Sequence, residues 1–146
     1  MNKRILKRYL NRSKREILKN CFEFENGYII SDSYSVIKLN KTYDLKVSED
    51  KLGVCKFYDN FKQFEFDFEL KEIEIIEHRN KKFAIAKLDD DYSINVPIFN
   101  KIKAIINANK FTIVKSEQYE FKGTPIIKLE NTKTNEIGYM LPMRKY

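Results

Sequence analysis

The sequence predicts an α+β domain in which antiparallel sheets carry two amphipathic helices on one face. Three observations predict it. Two stripes of helical period, residues 2–13 and 97–109, lie among short period-two runs that leave few candidates for parallel crossovers. An Asn-Gly pair stands between two of those runs. Finally, 4 Gly and 3 Pro in 146 residues, with 42% apolar content, suit one packed core rather than disorder. A chain of this size buries about 68–70% of its unfolded surface, so residues 1–146 read as one domain.

The stretch from Leu18 to Leu39 organises the rest. The run Leu18-Lys19-Asn20-Cys21-Phe22-Glu23-Phe24 reaches Glu25-Asn26-Gly27, and a second run leaves it from Tyr28 to Leu39. Asn-Gly between alternating runs predicts a tight hairpin, because both residues tolerate positive φ. A two-stranded ribbon is marginal alone, so flanking segments must cover it.

Before it, Ile5, Leu6, Tyr9 and Leu10 share one sector of a helical wheel, with Arg4, Lys7, Arg8, Asn11, Arg12 and Arg15 opposite. After it, residues 54–58 read as a strand, and Phe64, Phe66, Phe68 and Leu70 alternate with Glu65, Asp67 and Glu69 as a strand with one wet face. Those carboxylates read as solvated rather than metal-binding, since hard-cation sites add loop carbonyls and a sharp Gly turn. Residues 72–78 and 83–88 predict a hairpin across Arg79-Asn80-Lys81-Lys82, with the acidic loop Asp89-Asp90-Asp91 following. Pro97 then opens a helix whose Ile98, Phe99, Ile102, Ile105 and Ile106 form one stripe, ending at Asn109 or Lys110. Residues 111–115, 119–121 with 125–129 across Lys122-Gly123-Thr124, and 136–143 complete the strands.

The charge is informative once located. Eight basic residues (Lys3, Arg4, Lys7, Arg8, Arg12, Lys14, Arg15 and Lys19) against Glu16 carry the whole net charge of +7, over an otherwise neutral body. A field concentrated on one segment suggests an anionic partner met on one face. The plainer alternative is a solvated face. A membrane-surface helix is disfavoured because the apolar side lacks Trp and Phe, and no membrane partner is expected. Cys21 and Cys55 have no partner spacing, and neither a secretory leader nor an apolar run of about 18 residues occurs, which indicates a cytoplasmic protein with reduced thiols. The single His78 has no ligand or nucleophile partner at useful spacing, and no Gly-rich phosphate loop is present. No cofactor, metal or catalytic residue is expected.

Two short motifs carry a family resemblance. The closing residues Gly138-Tyr139-Met140-Leu141-Pro142-Met143-Arg144 resemble the C-terminal strand of bacterial sliding clamps, the β subunit of the replicative DNA polymerase. Asn26-Gly27-Tyr28-Ile29-Ile30-Ser31-Asp32-Ser33-Tyr34-Ser35-Val36 resembles the clamp pattern of Gly, apolar residues, Thr-Asp, a small residue, His or Tyr, Arg and Leu. Residues 92–109 are similar to the strand that feeds the second helix of a clamp domain. Ser35 stands where the family has Arg, Ser31 where it has Thr, and residues 45–90 form a longer, divergent middle segment.

The resemblance implies a single processivity-fold domain with its helices toward duplex DNA, of the kind a phage or mobile element encodes, in a replication role without enzymatic activity. Joined to the charge pattern, it nominates Lys3, Arg4, Lys7, Arg8, Arg12, Lys14, Arg15, Lys101 and Lys103 for DNA contacts without sequence specificity. It also implies a partner-peptide site at Ser31, Ser33, Tyr34, Ser35, Val36, Tyr139, Leu141, Pro142, Met143 and Arg144, occupied by replication proteins. A closed ring would need a head-to-tail homo-oligomer. The alternative is an interaction module that mimics a clamp domain and docks on replication proteins.

Overall fold

A computed structural model describes residues 1–64, 66–69, 75–77, 84–87, 92–114 and 125–144. His78, the turn at 79–82, the acidic loop at 89–91, residues 119–121 and the turn at 122–124 lie outside them.

The elements run α1 (Lys3–Leu10), a 3-10 turn (Glu16–Lys19), β1 (Phe22–Phe24), β2 (Gly27–Ser31), β3 (Ser35–Leu39), α2 (Val54–Lys62), β4 (Phe66–Glu69), β5 (Ile75–Glu77), β6 (Ala84–Lys87), β7 (Tyr92–Asn95), α3 (Val96–Ile106), β8 (Lys110–Val114), β9 (Ile127–Glu130), β10 (Ile137–Met140) and β11 (Met143–Arg144). They form an α+β fold. A seven-stranded sheet has the order β1-β2-β3-β10-β9-β8-β4, and a four-stranded sheet has the order β11-β7-β6-β5. Every strand pairing in both is antiparallel. Residues 137–144 serve both sheets: β10 pairs with β3 and β9, and after Leu141-Pro142 the chain continues as β11 against β7.

Strand alternation sends neighbouring side chains into two separate cores. Ile30, Ile37, Leu39, Ile127, Leu129 and Met140 meet Leu6, Tyr9 and Leu10 of α1 and the buried stripe of α3 on one face. Ile29, Val36, Ile126 and Tyr139 face the other way, against Leu18, Val54, Tyr58 and Phe61. Each such side chain contributes about 1.5–3 kcal/mol by leaving water. The two expected helices thus share a face of the large sheet, and a third covers the opposite one.

That third helix corrects the strand expected at 54–58. Val54, Tyr58 and Phe61 recur at helical spacing and are buried, and Asp50 accepts bonds from the Val54 and Cys55 amides, both at 2.8 Å, satisfying the first turn. A five-residue window is too short to separate the two periods.

The organising hairpin also differs in detail. Phe24 pairs with Gly27, so the turn residues are Glu25 and Asn26, with Glu25 at φ 51°. Gly27 opens β2 instead, where a Cβ would lie 2.5 Å from the Leu39 carbonyl oxygen. The strand expected from Leu18 shrinks to Phe22–Phe24, preceded by the 3-10 turn, and the run from Tyr28 to Leu39 breaks at Asp32, Ser33 and Tyr34 into two strands. The helix expected to end at Asn109 or Lys110 stops at Ile106, where Asn107 adopts φ 52° and ends it in the left-handed region.

Candidate nucleic-acid interface

The side chain of Asn2 starts α1 by accepting bonds from the Arg4 and Ile5 amides at 3.1 and 3.2 Å. The helix buries Leu6, Tyr9 and Leu10 and leaves Lys3, Arg4, Lys7 and Arg8 exposed. α3 packs beside α1 with Ile98, Phe99, Ile102, Ile105 and Ile106 buried. Neither helix contains an acidic residue, so the outer surface of this pair is cationic.

Those cations divide by partner. Lys3 pairs with Asp44, and Arg12 pairs with Asp32, its Nε donating to Oδ2 at 3.0 Å. Arg4, Lys7, Arg8, Lys14 and Arg15 have no ion pair among the described residues. Lys101, half-buried on α3, is held below the ordinary lysine range, first by burial and then by Arg12 and Arg8, with Asp32 partly opposing. Both arginines thus act on Lys101 across the α1–α3 seam. Lys103 lies two positions on, about 200° around the helix, with its ammonium 5.5 Å from the Phe111 ring centroid.

Asp32, which the sequence reading passed over, lies beneath these cations. Its side chain is 0% exposed. Oδ1 accepts from the Tyr34 and Ser35 amides at 2.9 and 2.8 Å and from the Ser35 hydroxyl at 2.7 Å. The Ser35 oxygen lies 2.8 Å from the buried Tyr9 hydroxyl, which leaves Tyr9 to donate. Burial, then Asp32, push the Tyr9 phenol well above its usual range. A buried carboxylate is tolerable when accepting this many bonds.

The residues nominated for partner-peptide binding are brought together by β3–β10 pairing, which sets Val36 opposite Tyr139 and Ser35 opposite Met140, and the Leu141 amide donates to the Tyr34 carbonyl at 3.0 Å. Ser31, Ser35, Val36 and Tyr139 point inward and are buried. Ser31 Oγ donates to the Ser35 carbonyl at 2.7 Å, and Tyr139 stacks among Tyr58, Phe61 and Phe66. Ser33 and Tyr34 are exposed, Tyr34 at 63%, and Leu141, Pro142 and Met143 are half-buried. Arg144 pairs through its backbone with Tyr92. Around Ser33 opens a cleft of 360 Å³ lined by Arg15, Leu18, Ser31, Leu52, Val54 and Phe57.

No family model matches the chain, and neither does any curated protein or solved structure. Among the described residues, no group of three or more His, Cys, Asp or Glu is arranged to hold a metal ion, and no helix is long and apolar enough to cross a membrane. Cys21 and Cys55 are free thiols.

Proposed function

We propose that this chain is a sliding-clamp-like, non-enzymatic protein of processivity type that binds duplex DNA through its phosphates, as a replication accessory factor. One observation carries the reading: two adjacent helices with no acidic residue present a surface of lysine and arginine. Contacts of this kind position a duplex without reading bases. Fluorescence anisotropy of a labelled duplex across a salt series tests it. The expected result is binding that weakens with a log–log slope of about −0.9 per phosphate neutralised; binding that is absent or indifferent to salt overturns it.

A second reading, a clamp-mimicking module that docks on replication proteins, draws on the exposed Tyr34 beside the Leu141 backbone and on the cleft at Ser33. Partners recovered from nuclease-treated lysate, with no DNA affinity in the pure protein, favour it. A ring would need several copies joined head to tail, for which the strands at the ends of the two sheets are the available edges. Mass in solution separates a closed assembly from a monomer.

A further inference from the structure

We propose that Asp32 is a positioning residue for polyanion binding: its buried carboxylate holds the Arg12 guanidinium in place to receive a single backbone phosphate beside α1. This rests on the DNA-binding reading above and adds to it an acid with a defined task.

Neighbouring basic side chains repel, so an arginine fixed among them needs a counter-charge. The helices supply no counter-charge of their own. It comes from the sheet beneath them, at the turn between β2 and β3. There the two oxygens of Asp32 have separate duties. Oδ1 is fixed by the Tyr34 amide, the Ser35 amide and the Ser35 hydroxyl, so the carboxylate cannot swing. Oδ2 takes the Arg12 Nε at 3.0 Å. The guanidinium makes no other hydrogen bond among the described residues, so its Nη hydrogens remain available. Arg12 covers the carboxylate, its side chain 29% exposed against 0% for Asp32. Guanidinium hydrogens left unused by the carboxylate suit the oxygens of a phosphate. Lys101, destabilised as a cation by burial and by its two neighbours, gains from an arriving anion.

Charge counting and positioning predict opposite signs for Asp32→Asn. Removing a negative charge beside a polyanion should tighten binding if charge alone matters. Under the proposal it weakens duplex binding and lowers the salt slope by about 0.9, one phosphate contact, so that the ratio of wild-type to variant affinity falls about 3.5-fold as salt rises fourfold. The asparagine oxygen can keep the three bonds at Oδ1 while its amide repels Arg12. Circular dichroism and urea melting check that the full-length variant folds. Arg12→Lys, which keeps the charge without the Nε bond, should reproduce the loss. In an Arg12→Gln background, Asp32→Asn should do nothing more, whereas a residue that merely supports the fold would keep its effect.

Inorganic tripolyphosphate, followed through the Arg12 side-chain NMR signals, probes the seat without DNA. Saturable shifts in the wild type that vanish in Asp32→Asn support the seat, even should duplex binding fail and take the DNA reading with it. A folded Asp32→Asn protein that binds duplex or tripolyphosphate as tightly as the wild type, or an effect that persists without Arg12, overturns the proposal. So does a wild type whose arginine signals do not respond.

Discussion

Gly138 of β10 passes so close beneath Ile102 of α3 that a Cβ on the glycine would lie 2.6 Å from the isoleucine Cγ2. Ile102 is 0% exposed and has nowhere to retreat. Gly138→Ala should therefore destabilise the protein by about 1–3 kcal/mol through overpacking, and urea denaturation measures it. Adding Ile102→Leu, which lacks the Cγ2 methyl, should return part of the loss.

Tyr139 stacks on Tyr58, Phe61 and Phe66 with centroids 5.3, 5.8 and 5.4 Å away. Tyr139→Ala is expected to cost about 3–5 kcal/mol, whereas Tyr139→Phe keeps the packing and should lose only about 0.5–1.5 kcal/mol from the hydroxyl's hydrogen bond. Thermal or urea melting distinguishes this core role from a surface one, in which neither change would alter stability.

Asp50 predicts an acid limb. Burial opposes its ionisation, but the amides of Cys55 and Val54 outweigh this and hold the carboxyl below its ordinary 3.8. The folded state binds that proton more weakly than the unfolded state. Its contribution is thus complete above the unfolded value and disappears as pH falls through the lower folded one. Asp50→Asn should remove that part of the pH dependence below about pH 4 and cost about 1 kcal/mol at neutral pH, because its one oxygen can accept only one of the two amides. Urea midpoints between pH 2 and 7 provide the measurement.

The same carboxylate acts on the Cys55 thiol, whose Sγ donates to the Glu23 carbonyl at 3.7 Å. Burial, then the hydrogen bond and charge of Asp50, push Cys55 up to about 12. Because the thiolate is the reactive form, a disulfide reagent at pH 8 should modify folded Cys55 far more slowly than an unfolded control. Asp50→Asn should speed the reaction.

On the cationic face, Arg4 and Lys7 project from α1 with no ion pair among the described residues. If the DNA reading holds, Arg4→Gln with Lys7→Gln should reduce the salt slope by about 1.8, two phosphate contacts, and weaken all duplex sequences alike.

What could be read in the sequence was what repeats locally. The stripes Ile5-Leu6-Tyr9-Leu10 and Ile98-Phe99-Ile102-Ile105-Ile106 identified α1 and α3 because apolar spacing reports the buried face of a helix. α2 escaped because its apolar positions spread over only nine residues, and its cap, Asp50, lies four residues before Val54 rather than in a standard box. The basic run was plain, but its partition was not. The partner of Arg12 is 20 residues away, and Lys3 finds Asp44 across 41. Pairings of that range leave no periodic trace. The inward turn of Ser31, Ser35 and Tyr139 was hidden likewise, since both faces of the large sheet are covered and alternation alone does not say which side is wet.

Strand β10 lies in the middle of the seven-stranded sheet, held by β3, about a hundred positions upstream, and by β9. A nascent chain therefore carries β1–β3 and β8–β9 as unjoined halves, each with a bare edge inviting foreign strands, until residues 137–140 have been synthesised. Assembly finishes with a keystone, and such distant pairing makes refolding slow.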